Sequence, residues 1–167
     1  VLIGMMGSGK TTIGRLLSAL TGWPYFDNDA LLAMLRGETA RGLLAHEGVS
    51  ELREGEAEAL RAGLRQPPSC IVGAPAGTIL EPDIRAELAR EALVVWLTAG
   101  AKTLAERAKD APHRPWLSGD AEAWMSATLA QRSPLYESVA NLKVSTDEKT
   151  PQEVAAQIAD WLKGRCQ

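Results

Sequence analysis

Eight consecutive residues, Gly4-Met5-Met6-Gly7-Ser8-Gly9-Lys10-Thr11, follow the pattern GxxxxGK[ST], whose chemistry is the cradling of phosphates. Glycines at positions 7 and 9 let the backbone bend without Cβ clashes, so successive N–H groups can converge on one phosphate. A helix opening directly after them adds the partial positive charge of its amino terminus. Lys10 sets a mobile cation over the outer phosphates, and the Thr11 hydroxyl is a ligand type for Mg²⁺. The pattern follows an apolar strand and opens an amphipathic stretch, the context that separates a phosphate loop from a chance glycine turn. A nucleoside triphosphate is the ligand these residues call for.

Asp27 and Asp29 end a second apolar run, where open α/β sheets place their ligands. Two apart in a chain leaving a strand, they can face different groups, one toward metal and one toward a phosphoryl acceptor. The same position favours helix capping by Asp27 or Asn28, and both roles can coexist. Arg53 stands between Leu52 and Glu56, either as a solvated charge or paired with Glu56 or Glu58. Arg114-Pro115-Trp116-Leu117 and Arg132-Ser133-Pro134-Leu135-Tyr136 add cations beside prolines, a combination that loops and helix ends also produce. The isolated His46 and His113 read as solvated or helix-end residues, and the acidic run over 47–58 as a solvated helix face.

These residues need a frame, and the apolar spacing predicts one. Residues 1–4 form a strand running into the glycine loop. Ile13, Leu16, Leu17 and Leu20 recur at i, i+3, i+4 and i+7 and predict a helix ending at Gly22. Further strands are predicted at 23–26, 69–73, 93–97 and 142–145. Helices are predicted at 30–36, 39–47, 49–66, 82–90, 101–109, 121–132 and 151–164, with Pro134 ending or bending the seventh of the eight. Residues 110–120, with two prolines and a glycine, form an exposed loop. Strands alternating with helices specify a three-layer α/β/α fold with a five-stranded parallel sheet, and residues 1–167 read as one domain. Trp96 and Trp161 fit the core, Trp23 and Trp124 surface-to-core packing, and Cys70 a small core site. Trp116 fits lid packing or ligand contact equally.

The chain's 167 residues are 46% hydrophobic and 23% charged, a balance that excludes a disordered or fibrous protein. Lys+Arg total 18 against 21 Asp+Glu, for a net charge of −3, which argues against a general nucleic-acid binder or a polybasic membrane-surface protein. An anionic ligand therefore needs a local positive cluster. Cys70 and Cys166 form no ligand pattern and read as free thiols in a reducing compartment. No apolar run approaches the roughly 18 residues of a membrane span, so a cytoplasmic protein is expected. The opening Val1-Leu2-Ile3-Gly4 reads as the tail of a strand, with native residues before it. The phosphate loop alone fits GTPases, ATPases and kinases. No NKxD guanine reader is present, oligomeric ATPases usually run far longer, and the arginine loop after the fourth strand points to a small-acceptor kinase.

Taken in order, the segments resemble the shikimate kinase family over nearly the whole chain. That family's Asp-x-Asp, Phe-Arg-x-x-Glu, Gly-Gly-Gly turn, Arg-Pro lid and Arg-x-Pro-Leu-Tyr are met by Asp27/Asp29, Leu52-Arg53…Glu56, Gly73-Ala74-Pro75, Arg114-Pro115 and Arg132-Ser133-Pro134-Leu135-Tyr136. The resemblance implies transfer of a phosphoryl group from ATP to the 3-hydroxyl of shikimate, with Mg²⁺ as cofactor, in aromatic amino acid biosynthesis. It assigns ATP to Met6, Gly7, Ser8, Gly9, Lys10, Thr11 and Thr12, with Arg107 against the adenine. Thr11 and, through water, Asp27 hold the metal. Asp29 orients the acceptor hydroxyl as its candidate proton acceptor. Arg53, Gly73, Ala74, Pro75 and Arg132 contact the acceptor, the two guanidinium groups donating in parallel pairs to its carboxylate. Acceptor-binding helices span about 30–66, and Arg114 closes over the transferring phosphoryl from a lid at about 110–120. Lys10, Asp29 and Arg114 form the catalytic set. The family is commonly monomeric and acts on small molecules, with no nucleic-acid or membrane partner.

Four departures bear on the acceptor half. Pro75 replaces a glycine and has no N–H to donate, Ala74 adds a Cβ against the ligand, and the stretch from 73 to 85 is about two residues longer than usual. Ala76 and Gly77 are then the candidates to supply amides in a shifted turn. Leu44 and Leu52 stand where the family often has phenylalanines, which reshapes the pocket wall. These changes leave open a different small hydroxy-carboxylate as acceptor, or a non-catalytic nucleotide-binding role.

Overall fold

The computed structural model describes residues 1–109 and 120–165. Five strands, β1 (Leu2–Ile3), β2 (Tyr25–Asp27), β3 (Ile71–Gly73), β4 (Val95–Thr98) and β5 (Leu142–Ser145), form one parallel sheet in the order β2-β3-β1-β4-β5. Leu2 pairs with Gly73 on one side and Val95 on the other, and Asp27 pairs with Gly73. From β1 the chain crosses to the edge strand β2, returns to β3 beside β1, and then adds β4 and β5 on the other side of β1. The carboxyl end of β1 therefore opens at the topological switch point, where α/β sheets hold ligands.

The helices are α1 (Lys10–Thr21), α2 (Asn28–Arg36), α3 (Ala40–His46), α4 (Val49–Leu64), α5 (Pro82–Glu91), α6 (Ala101–Ala108), α7 (Ala121–Val139) and α8 (Pro151–Lys163). Side chains alternate across a strand, and the core divides accordingly. Ile3, Val72 and Trp96 pack with Leu60, Ile84, Leu88, Met125 and Tyr136 on one face. Leu2, Ile71, Val95, Leu97 and Val144 pack with Ile13, Leu17, Val154 and Ile158 on the other. A third cluster, Leu31, Leu32, Leu43, Leu52 and Ala59, lies among α2, α3 and α4. Among the described residues no helix is long and apolar enough to cross a membrane.

The three-layer architecture matches the spacing in the sequence, with local corrections. α2 begins at Asn28 rather than 30, because the Asp27 side chain caps it by accepting the Asp29 amide. α7 does not stop near Arg132 but continues through Pro134 to Val139. Pro134 and Ala130, whose carbonyl loses its usual donor, are both exposed, so water can take the freed acceptor, while Tyr136 and Val139 beyond it are buried. A short 3-10 turn, Thr78–Leu80, was not legible in the spacing. Cys70 is half-buried just outside β3 rather than a core residue. Arg114, Trp116 and His113, the lid except Asp120, and Cys166 lie outside the described residues.

Candidate active site

Gly7 and Gly9 adopt φ of +78° and +91°, the left-handed region open to glycine, and Gly9 caps α1. Ile13 donates to the Gly9 carbonyl at 2.9 Å, so the amides of the first helical turn are not used inside the helix. Lys10 Nζ donates to the Gly4 and Met5 carbonyls at 2.8 and 3.0 Å, which sets its cation over the loop. Met6, Gly7, Gly9, Lys10, Thr11 and Thr12 line one end of a cavity of about 740 Å³. Ser8, expected among them, is not part of that lining. Its amide donates inward to Met5 O at 3.2 Å and the residue is fully buried, because the tight turn needs that contact. Arg107 lies at the same end, donating to Thr146 Oγ1 at 2.9 Å and to the Thr146 carbonyl at 3.0 Å.

Asp27 stands between the two halves of the cavity. Its Oδ2 accepts from Thr11 Oγ1 at 3.0 Å and from the Tyr25 hydroxyl at 3.1 Å, and its Oδ1 accepts the Asp29 amide at 3.0 Å. One carboxylate thus serves as helix cap and as partner of the loop threonine. Burial, and then the negative charge of Asp27, push the Tyr25 hydroxyl well above its ordinary value, so it remains a donor. Thr11 and Asp27 fit an Mg²⁺ ion, a hard cation that takes oxygen donors and is commonly held by one or two carboxylates with substrate phosphates. Among the described residues there is no cluster of three or more His, Cys, Asp or Glu side chains that could hold a metal ion.

The far end of the cavity is lined by Asp29, Arg41, Leu44, Val49, Leu52, Arg53, Glu56, Trp124 and Arg132 with the turn at 73–77. Arg53 Nη1 donates to Glu56 Oε2 at 2.5 Å across one helical turn of α4. Glu56 is buried at 8% exposure, against the expectation of a solvated face, and burial raises its pKa despite the opposing Arg53 charge. Ala74 donates to the Leu2 carbonyl and packs in the core, so its Cβ is absorbed by the fold. The Pro75 carbonyl takes the Thr78 amide and hydroxyl at 3.3 and 2.8 Å, which leaves the Ala76 and Gly77 amides outside the turn's own hydrogen bonds.

That turn joins the two acceptor-side arginines. The Ala76 carbonyl accepts from Arg132 Nη1 at 3.0 Å and from the Tyr136 hydroxyl at 2.8 Å. Tyr136 in turn stacks on Trp96 with ring centroids 5.6 Å apart. The Arg53 guanidinium lies directly on Gly77, where a Cβ would overlap Nη1 at 1.9 Å. Asp29, Arg53 and Arg132 are therefore brought together with residues 73–77, as the sequence suggested. Tyr25, Arg41, Val49 and Trp124 are lining residues that it did not place in the site. Arg41 was findable, since it sits three positions before Leu44 on the same helical face. Trp124 carried no local signal.

A phosphate-holding loop that shares one cavity with a basic, carboxylate-bearing pocket suits phosphoryl transfer between two small molecules. That places the chain among the P-loop kinases. Residues 6–163 match the family model for shikimate kinase, and the chain belongs to that family. It is 37% identical to the shikimate kinase of Symbiobacterium thermophilum, covering 99% of this chain and 96% of the relative. It is 38% identical to that of Thermobifida fusca, covering 97% and 93%. The structure superposes on a shikimate kinase from Acinetobacter baumannii in complex with shikimate with a TM-score of 0.91, at 27% identity, covering 98% of this chain and 92% of the other.

Proposed function

We propose that this kinase phosphorylates the 3-hydroxyl of shikimate with ATP and Mg²⁺. The observation that carries the reading is the pairing of Arg53 and Arg132 across the 75–78 turn, beside Asp29 and in one cavity with the glycine loop. Two guanidinium groups suit an acceptor carboxylate, and the Asp29 carboxylate, in the same lining, orients the hydroxyl and receives its proton. As the acceptor oxygen bonds to the γ-phosphorus, the bond from that phosphorus to the β–γ bridging oxygen breaks and ADP leaves. The amides of the first turn of α1 and Lys10 hold the phosphates while negative charge moves onto the leaving oxygen. Thr11 and Asp27 hold Mg²⁺, which when bound neutralises phosphate charge. Arg107 lies against the adenine.

ADP release from Mg-ATP, measured by a coupled assay with and without excess shikimate, tests this directly. Strong shikimate-dependent turnover is expected; nucleotide binding with no stimulation would overturn it. The lining by Leu44, Val49 and Leu52 and the rebuilt 73–77 turn favour a second reading, a different anionic hydroxy acid in the same pocket. Competition between shikimate and other hydroxy-carboxylates in that assay separates the two.

A further inference from the structure

Tyr25 and Asp27 are two apart on β2, so their side chains share one face of the strand. The tyrosine ring lies in a slot made by two glycines. A Cβ on Gly14 would meet the ring at 2.3 Å, and one on Gly73 would meet the hydroxyl at 2.5 Å. With both positions bare, the ring carries its hydroxyl to Asp27 Oδ2, the same oxygen that accepts from Thr11. The carboxylate is then fixed by three donors from different segments: Thr11 on α1, Tyr25 on β2 and the Asp29 amide on α2.

We propose that Tyr25 is a positioning residue for the metal end of the site. Its hydroxyl holds the Asp27 carboxylate in the orientation that faces Thr11, and so sets how much Mg²⁺ strengthens nucleotide binding. This rests on the reading of Thr11 and Asp27 as the Mg²⁺ residues. A phenol suits the task because it is rigid and donates one hydrogen bond without adding charge beside the phosphates. Partners of this kind, behind the residues that hold a metal, are typically worth 10–100-fold in affinity or activity.

The test is calorimetric binding of a non-hydrolysable ATP analogue to the full chain, with Mg²⁺ and with chelator. Tyr25→Phe keeps the ring and removes the hydroxyl. Its metal-free affinity should match wild type, while the gain on adding Mg²⁺ shrinks about tenfold. Gly73→Ala, which displaces the hydroxyl while leaving Tyr25 in place, should reproduce that loss. On an Asp27→Asn background, Tyr25→Phe should have no further effect. A full Mg²⁺ gain in Tyr25→Phe, or equal weakening with and without metal, overturns the proposal. A wild-type chain with no Mg²⁺ gain at all overturns the underlying metal reading as well.

Discussion

On the proposed reading, Asp29, Arg53 and Arg132, which line one cavity, divide acceptor binding between them. Removing one partner of a desolvated charge contact costs about 2–5 kcal/mol of binding. Arg53→Ala and Arg132→Ala should therefore raise the KM for shikimate at least thirtyfold with metal-free nucleotide affinity unchanged. Asp29→Asn should act chiefly on kcat. Steady-state kinetics in both substrates check this pattern. Glu56 adds a pH dependence. Its folded pKa is raised by burial, so the native state binds more protons than the unfolded chain between the ordinary carboxylate value and the raised one. Its contribution is fully present below the unfolded pKa and is lost as pH rises through the folded one. Urea melts across that window should show a steeper fall with rising pH in wild type than in Glu56→Gln.

The residues of the phosphate loop were legible because each does its work through local backbone geometry. Glu56 was legible as a partner of Arg53, but its burial was not, since a charge at that position reads as solvent-facing until the packing of α2 and α3 over α4 is known. The elements were read to within a few residues where apolar spacing sets them. The Asp27 cap was legible, though the start of α2 was read two residues late, and α7 was misread where tertiary packing overrides a local breaker at Pro134. The 75–78 turn was the least legible part, because its conformation depends on Arg132 and Tyr136 from a helix more than fifty residues away. Two expectations belong to that turn. Gly77→Ala drives a methyl into the Arg53 guanidinium and should raise the KM for shikimate about tenfold or more, since the arginine is displaced. Tyr136, whose pKa burial pushes up to about 12, stays protonated throughout any practical assay. Tyr136→Phe should thus lower stability by about 1 kcal/mol, measured by urea melts, and produce a KM change that does not vary with pH.

Across the whole molecule, a chain of net charge −3 concentrates Lys10, Arg41, Arg53, Arg107 and Arg132 around one cavity. Local positive potential speeds the capture of anions and is screened by salt. The kcat/KM for shikimate should accordingly decline with ionic strength, which a salt titration at fixed pH will show. The order β2-β3-β1-β4-β5 makes this concentration possible, since both sides of the sheet deliver loops to the end of β1. The small apolar cluster of Leu31, Leu32, Leu43, Leu52 and Ala59 stands apart from the two clusters that clamp the sheet, with Phe26 packed against both it and one of them. The wall that faces the acceptor thus has a core of its own. Descendants of such a chain can exchange leucines in that wall and try new acceptors while the nucleotide machinery, anchored elsewhere, is inherited intact.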